Sequence, residues 1–180
     1  QKPTQNVVLF GNGGGTSVLA VDAFADRGLS VLPFADDLKA KLTAMQLPPG
    51  TSVANPIDAP VATLQQADGR IAKAILDVVY ESQVADAVVV HINLAAFVGR
   101  GDTDPVDNLI DAALQTHADH AATAHFVVVL RVDGSRELDD RSRRYRQNAL
   151  QRGIPVYDEL VNAADALQGV SFAERYLTTA

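Results

Sequence analysis

The stretch Asn6-Val7-Val8-Leu9-Phe10-Gly11-Asn12-Gly13-Gly14-Gly15-Thr16-Ser17 runs an apolar, β-branched segment into a glycine loop and out into a helix. These residue types in this order suit the capture of an oxyanion. Backbone N–H groups without side chains can approach a phosphate closely, and the positive end of the following helix faces it. Gly11, Asn12, Gly13, Gly14, Gly15, Thr16 and Ser17 are therefore the candidate phosphate-binding residues. The loop is not a nucleoside-triphosphate P-loop, because no lysine precedes Thr16 to grip a β/γ-phosphate. It is not a clean dinucleotide fingerprint either, since Thr16 stands where the third glycine belongs. The plain alternative is a strand-to-helix turn that needs glycine only for positive φ and close packing, yet four glycines in five residues exceed what such a turn ordinarily uses.

Other residues that could do chemistry have simpler readings. His91 falls among Val88, Val89, Val90 and Ile92, which reads as a neutral, hydrogen-bonded core histidine rather than a phosphoryl acceptor or general base. His117, His120 and His125 lack the carboxylate spacing of a metal helix. Asp102, Asp104, Asp107 and Asp111 lack the glycine and terminal glutamate of a calcium loop, and Asp104 and Asp107 suit the positive end of a helix. Arg136, Arg141, Arg143, Arg144, Arg146 and Arg152, mixed with Glu137, Asp139 and Asp140, read as a solvated face with i,i+4 pairs, docking to an acidic sister domain being the functional alternative. In Asn55-Pro56-Ile57-Asp58 a proline-stiffened turn is bracketed by Asn55 and Asp58, either of which could orient a ligand or a neighbouring loop.

The elements that position these residues alternate in period. Apolar β-branched runs at Asn6 to Gly11, Leu29 to Phe34, Ala87 to Ile92, His125 to Arg131 and Pro155 to Tyr157 predict five strands. Helical periods lie between them: Thr16 to Arg27, closed by Gly28; Asp36 to Met45; a long helix within Val61 to Gln83 presenting Ile71, Ala74, Ile75, Val78 and Val79; Asp104 to Ala118, with Pro105 at the first turn; Glu137 to Arg152; and Asp158 to Leu167 or beyond. Ala54 to Pro60 is too proline-dense for a core strand and reads as a loop or edge. The pattern predicts an α/β, flavodoxin-like, three-layer open sheet of five parallel strands in order 2-1-3-4-5, with ligands beyond the C-terminal ends of strands one and three. Residues 1–5 read as a disordered or linker remnant and 6–180 as one domain.

The chain has 180 residues, 47% hydrophobic and 21% charged, enough to bury one sizeable core. Net charge is −7, and no basic face interleaved with aromatics appears, which argues against nucleic acid. The absence of cysteine excludes disulfides, thiolate metal sites and cysteine nucleophiles. No signal peptide or long apolar run marks a membrane protein, so the cytoplasm is expected. With no initiator methionine before Gln1, the sequence reads as a module cut from a longer protein.

In order and spacing, several motifs together resemble a family. Gly11-Asn12-Gly13-Gly14-Gly15 is followed by Leu19-Ala20-Val21-Asp22-Ala23, Gly28-Leu29, a Leu-Pro near residue 48, Asn55-Pro56-Ile57-Asp58, Asp86-Ala87-Val88-Val89-Val90 and Gly153-Ile154-Pro155-Val156-Tyr157 ahead of Ala163-Ala164-Asp165-Ala166-Leu167. Over residues 6 to 167 this resembles the second flavodoxin-like ligase domain of NDP-forming acyl-CoA synthetases, relatives of succinyl-CoA synthetase. The resemblance implies a part in interconverting an acyl-CoA, ADP and phosphate with a free acid, CoA and a nucleoside triphosphate. It implies an acyl phosphate and a phosphohistidine that two ligase domains hold between helix N-termini. Gly13, Gly14, Gly15 and Thr16 would supply half of that cradle and Asp22 would lie in the first turns of the supporting helix. The parent would use CoA, ATP or GTP, and magnesium, none bound by this domain alone. Its partners would be sister ligase, CoA-binding and ATP-grasp domains or subunits. The chain departs from the family in having no Ser-His-Thr-Gly segment, grasp domain or CoA-binding Rossmann domain, so no catalytic side chain is assigned to it. Asn93 to Asp104 is longer than the family pattern and leaves the acid substrate open. Two other readings stay open: a non-catalytic flavodoxin-like binding or assembly module, and a binder of a nucleotide or flavin phosphate.

Overall fold

The computed structural model describes residues 2–97, 105–120 and 123–178. Five parallel strands form one sheet in the order β2-β1-β3-β4-β5: β1 is Val7–Gly11, β2 Ile57–Asp58, β3 Ala87–Asn93, β4 His125–Arg131 and β5 Val156–Tyr157. Helices α1 (Gly14–Ala25), α2 (Asp36–Ala44), α3 (Val61–Leu64), α4 (Arg70–Glu81), α5 (Pro105–Asp119), α6 (Arg136–Gln151) and α7 (Leu160–Thr178) cover it. The predicted three-layer open sheet and its strand order are present.

The alternation of side chains along each strand sorts the core into two layers. Val7, Leu9, Ala87, Val89, Val127 and Val129 face α1 and α7 through Ala20, Phe24, Leu160 and Ala163. Val8, Phe10, Val88, Val90, Phe126 and Val128 face α2 to α6 through Leu38, Leu64, Ile75, Leu109 and Tyr145. Both faces are covered, which is why the strands read as unbroken apolar runs rather than as alternating ones. Among the described residues no helix is long and apolar enough to cross a membrane.

Two expectations about the elements are corrected. The segment Leu29 to Phe34 is not the second strand: its only bridge among the described residues is Asn6 to Ser30, just before β1, and Pro33, which has no N–H, follows. The edge strand is instead Ile57–Asp58, paired with Phe10 and Gly11 inside the proline-dense segment. The helix expected within Val61 to Gln83 is two, α3 and α4, and α4 buries Ala72, Ile75, Leu76, Val79 and Tyr80, so its inward face is rotated from the predicted one. Thr4 is buried, and its N–H donates to the Glu174 carboxylate. On α6, Arg143 meets Asp140 at i,i+3, while Arg144 and Arg152 meet Asp107 and Asp111 of α5, and Arg146 meets Asp158.

Candidate functional site

The glycine loop leaves β1 at the C-terminal edge of the sheet, where β1 separates from β3 and the strand order reverses. Each glycine has its own cause. At Gly11 a Cβ would stand 1.9 Å from the His91 carbonyl oxygen, because β1 and β3 pair there. Gly13, the residue capping α1, has φ 106°, which only glycine adopts freely. A Cβ at Gly14 would come within 2.7 Å of an Asp58 carboxylate oxygen. At Gly15 a Cβ would meet nothing within 4 Å. Packing thus explains Gly11 and Gly14, positive φ explains Gly13, and at Gly15 there is open space.

The hydrogen bonds divide the loop into closed and open parts. The Gly13 N–H donates to Asp58 Oδ1 at 2.9 Å, and its carbonyl accepts from Thr16 N at 2.9 Å and Ser17 N at 3.1 Å. The Asn12 amide is turned inward: its Oδ1 accepts from Asn93 N at 2.9 Å and its Nδ2 donates to Asn93 O at 3.4 Å, extending the β1–β3 ladder by one side-chain rung. Ser17 is buried, its hydroxyl 3.1 Å from His91 Nε2. That leaves the N–H groups of Gly14 and Gly15, for which no acceptor is found among the described residues, at the positive end of α1.

Asn55 and Asp58, assigned by sequence to ligand or loop orientation, both act on the protein itself. Asn55 Oδ1 accepts from Leu9 N at 3.0 Å while Nδ2 donates to Val7 O at 2.8 Å and Leu32 O at 3.1 Å. Its side chain stands where the edge strand is missing, between the Ser30 bridge to Val7 and the Ala59 N–H to Gly11 O bond that begins after Ile57–Asp58. Asp58 orients the loop, as above. Asp22 sits on the exposed side of α1, eight positions past Gly14 and so about 12 Å along the axis, away from the loop.

His91 is the core histidine that its neighbours imply. It is 1% exposed, and burial, aided by the nearby Arg131 charge, lowers its pKa to about 4, so it is neutral at physiological pH. His117 is held low chiefly by burial, then by the charge of His125. Its Nδ1 lies 3.2 Å from the Tyr80 hydroxyl, His120 stacks on Tyr80 and bonds Asp77, and His125 pairs with Glu174 at 2.8 Å. Among the described residues no group of three His, Cys, Asp or Glu could hold a metal. Asp102, Asp104 and the end of the Asn93 to Asp104 segment lie outside the described residues.

One contributor escaped the sequence reading. Arg131 ends β4 beside Asn93, and its Nη1 donates to Thr16 Oγ1 at 2.8 Å while Nε donates to Glu159 Oε2 at 3.0 Å. A guanidinium thus adjoins the loop on the side away from Asp58. An arginine closing an apolar strand at the switch edge was the available signal.

Among curated proteins the chain is similar to subunit alpha of an ADP-forming acetate–CoA ligase I from Pyrococcus furiosus, 28% identical over 168 residues, which are 92% of this chain and 32% of that subunit. The chain therefore spans about a third of the length of the relative that it matches. No family model matches. Among solved structures, apo dinucleotide-forming acetyl-coenzyme A synthetase 1 from Ca. Korarchaeum cryptofilum shares the fold with TM-score 0.70 and 20% identity over 97% of this chain and 35% of that one. The same enzyme in complex with phosphate and ADP gives 0.69 at 20% identity, over 96% and 34%. A Pyrococcus horikoshii OT3 protein gives 0.67 at 19%, over 94% and 36%. The resemblance that the motifs carry is met by both comparisons: along most of its length the chain is similar in sequence to an ADP-forming acetate–CoA ligase subunit, and it has the fold found in acetyl-coenzyme A synthetases.

Proposed function

We propose that the chain is one flavodoxin-like module of an NDP-forming acyl-CoA synthetase, an acid–thiol ligase, and that its loop helps to hold a phosphohistidine supplied by a sister domain. The observation that carries the reading is the open space over Gly15 at the start of α1, beside two N–H groups without acceptors among the described residues, in a chain similar to an acetate–CoA ligase subunit. Preorganised N–H donors in such a place stabilise a dianionic phosphoryl group without reorganising. The module contributes positioning and electrostatics, not a nucleophile. Its own buried His91 is unsuited to carry the phosphoryl group, since at 1% exposure no other domain can reach it. CoA, the nucleotide and magnesium belong in this reading to the partner domains: the loop lacks the lysine a triphosphate needs, and the described residues offer no cation site. A cytoplasmic setting fits this chemistry.

A second reading, a non-catalytic assembly module, is favoured by the loop's internal contacts: Asp58 already occupies the Gly13 N–H, packing accounts for Gly11 and Gly14, and positive φ accounts for Gly13. Gly15→Val in the full-length synthetase separates the two. A Cβ there meets no neighbour within 4 Å, and branched bulk beside the open N–H groups crowds an incoming phosphoryl group, so the first reading expects an intact fold with phosphohistidine formation abolished. Undiminished phosphorylation would leave only the assembly role.

A further inference from the structure

Resting on that reading, we propose that Arg131 is a positioning residue for phosphoryl capture, which holds the Thr16 hydroxyl as an outward donor at the mouth of the glycine loop. A guanidinium has five N–H donors and no acceptor, so in the 2.8 Å contact with Arg131 Nη1 the Thr16 oxygen must accept. The single O–H of Thr16 is then left to donate elsewhere. The Thr16 backbone N–H is already given to Gly13 O, so the hydroxyl is what this residue can offer an anion. Ser17, next in sequence, provides the contrast: it is buried against His91 and faces inward.

The arginine is itself held. Its Nε donates to Glu159 at 3.0 Å, and its backbone is fixed by the register that sets Arg131 opposite Asn93, the residue to which Asn12 ties the loop. Loop, β3 and β4 therefore place the guanidinium without a mobile segment. The charges flanking the loop are opposite in sign, Asp58 at Gly13 and Arg131 at Thr16. An incoming anion is repelled from the first and drawn to the second, which seats it over Gly15 and Thr16, away from the Asp58 oxygen that faces Gly14.

The test uses full-length synthetase and single-turnover phosphohistidine formation, with Arg131→Gln, Arg131→Lys, Thr16→Val, Thr16→Ser and the Arg131→Gln/Thr16→Val double variant. Loss of one aligned donor costs on the order of 100-fold in such sites. Arg131→Gln and Thr16→Val are each expected to slow phosphorylation by roughly 10- to 100-fold, with the double variant no slower than the worse single, because both remove one unit. Thr16→Ser, which keeps the hydroxyl, restores a rate within about 3-fold of the native one, and Arg131→Lys, which keeps charge without the fork, restores less. A merely structural arginine would show losses that multiply with those of Thr16 and no serine rescue; that result, or an Arg131→Gln variant at native rate, overturns the proposal. If the native protein forms no phosphohistidine, the proposed function falls first and this inference with it.

Discussion

The Asn55 side chain does the work of a peptide unit, and removing it should cost more than any other single polar change in the described fold. Its amide accepts from Leu9 N and donates to Val7 O, both on a strand whose residues are buried. Asn55→Leu keeps the branched outline of the side chain and is no smaller, so no cavity forms, but it leaves that N–H and C=O without partners. Each orphaned buried group costs about 1–3 kcal/mol. The Leu32 carbonyl, beside a side chain that is 58% exposed, can turn to water and adds little. Two orphans give roughly 4 kcal/mol, and in a domain of this size that is a fall of about 10 °C in Tm. Urea titration with native-state hydrogen exchange checks both the sum and its location: the midpoint should drop with the m-value unchanged, and the Leu9 amide should lose protection selectively. A loss under about 1 kcal/mol with Leu9 still protected would refute the view that a side chain completes the ladder.

Further predictions concern the loop and the chain ends. Gly11→Ala should cost at least roughly 2 kcal/mol or block folding, because the new Cβ would stand 1.9 Å from the His91 carbonyl and backbone must move; Gly15→Ala should leave stability within about 0.5 kcal/mol, and equal urea midpoints for the two would refute the packing account. His91 has its pKa lowered to about 4 in the fold against 6.5 unfolded, so the unfolded chain takes up the proton first. Its contribution is therefore complete above pH 6.5 and is lost as pH falls toward 4, by roughly 3 kcal/mol. Urea midpoints measured across that window should flatten in His91→Gln relative to the native chain. Glu174→Gln should loosen the junction of Thr4, His125 and α7, seen as faster proteolysis near residue 4 with the sheet amides still protected.

The sheet was legible because its strands are buried on both faces, which writes them as unbroken valine-rich runs such as Ala87 to Ile92. The edge was not legible. Leu29 to Phe34 has the composition of a strand but pairs at one residue, and the real edge strand is two residues inside a proline-rich turn. Propensity cannot see that a side chain, Asn55, fills the gap between them. For the site, the loop's position followed from the glycines, whereas the roles of Asn12, Asn55 and Asp58 did not, since an amide or carboxylate near a loop has the same sequence signature whether it meets a ligand or the backbone. Arg131 was hidden for the opposite reason: it is distant in sequence and reaches Thr16 only through the β3–β4 register.

A run of glycines is weak testimony for a phosphate site until each glycine is accounted for. Gly11 makes room for β3, Gly13 turns the chain through positive φ, and Gly14 makes room for Asp58. These three would be needed by a purely architectural turn, so they carry no functional weight. Gly15 is different, because a Cβ there would meet no protein atom within 4 Å, so neither packing nor a positive φ requires glycine. Gly15 also stands beside the N–H groups of Gly14 and Gly15, for which no acceptor is found among the described residues. The anion-binding reading therefore stands on Gly15 and on the guanidinium beside it, and no longer on the length of the glycine run.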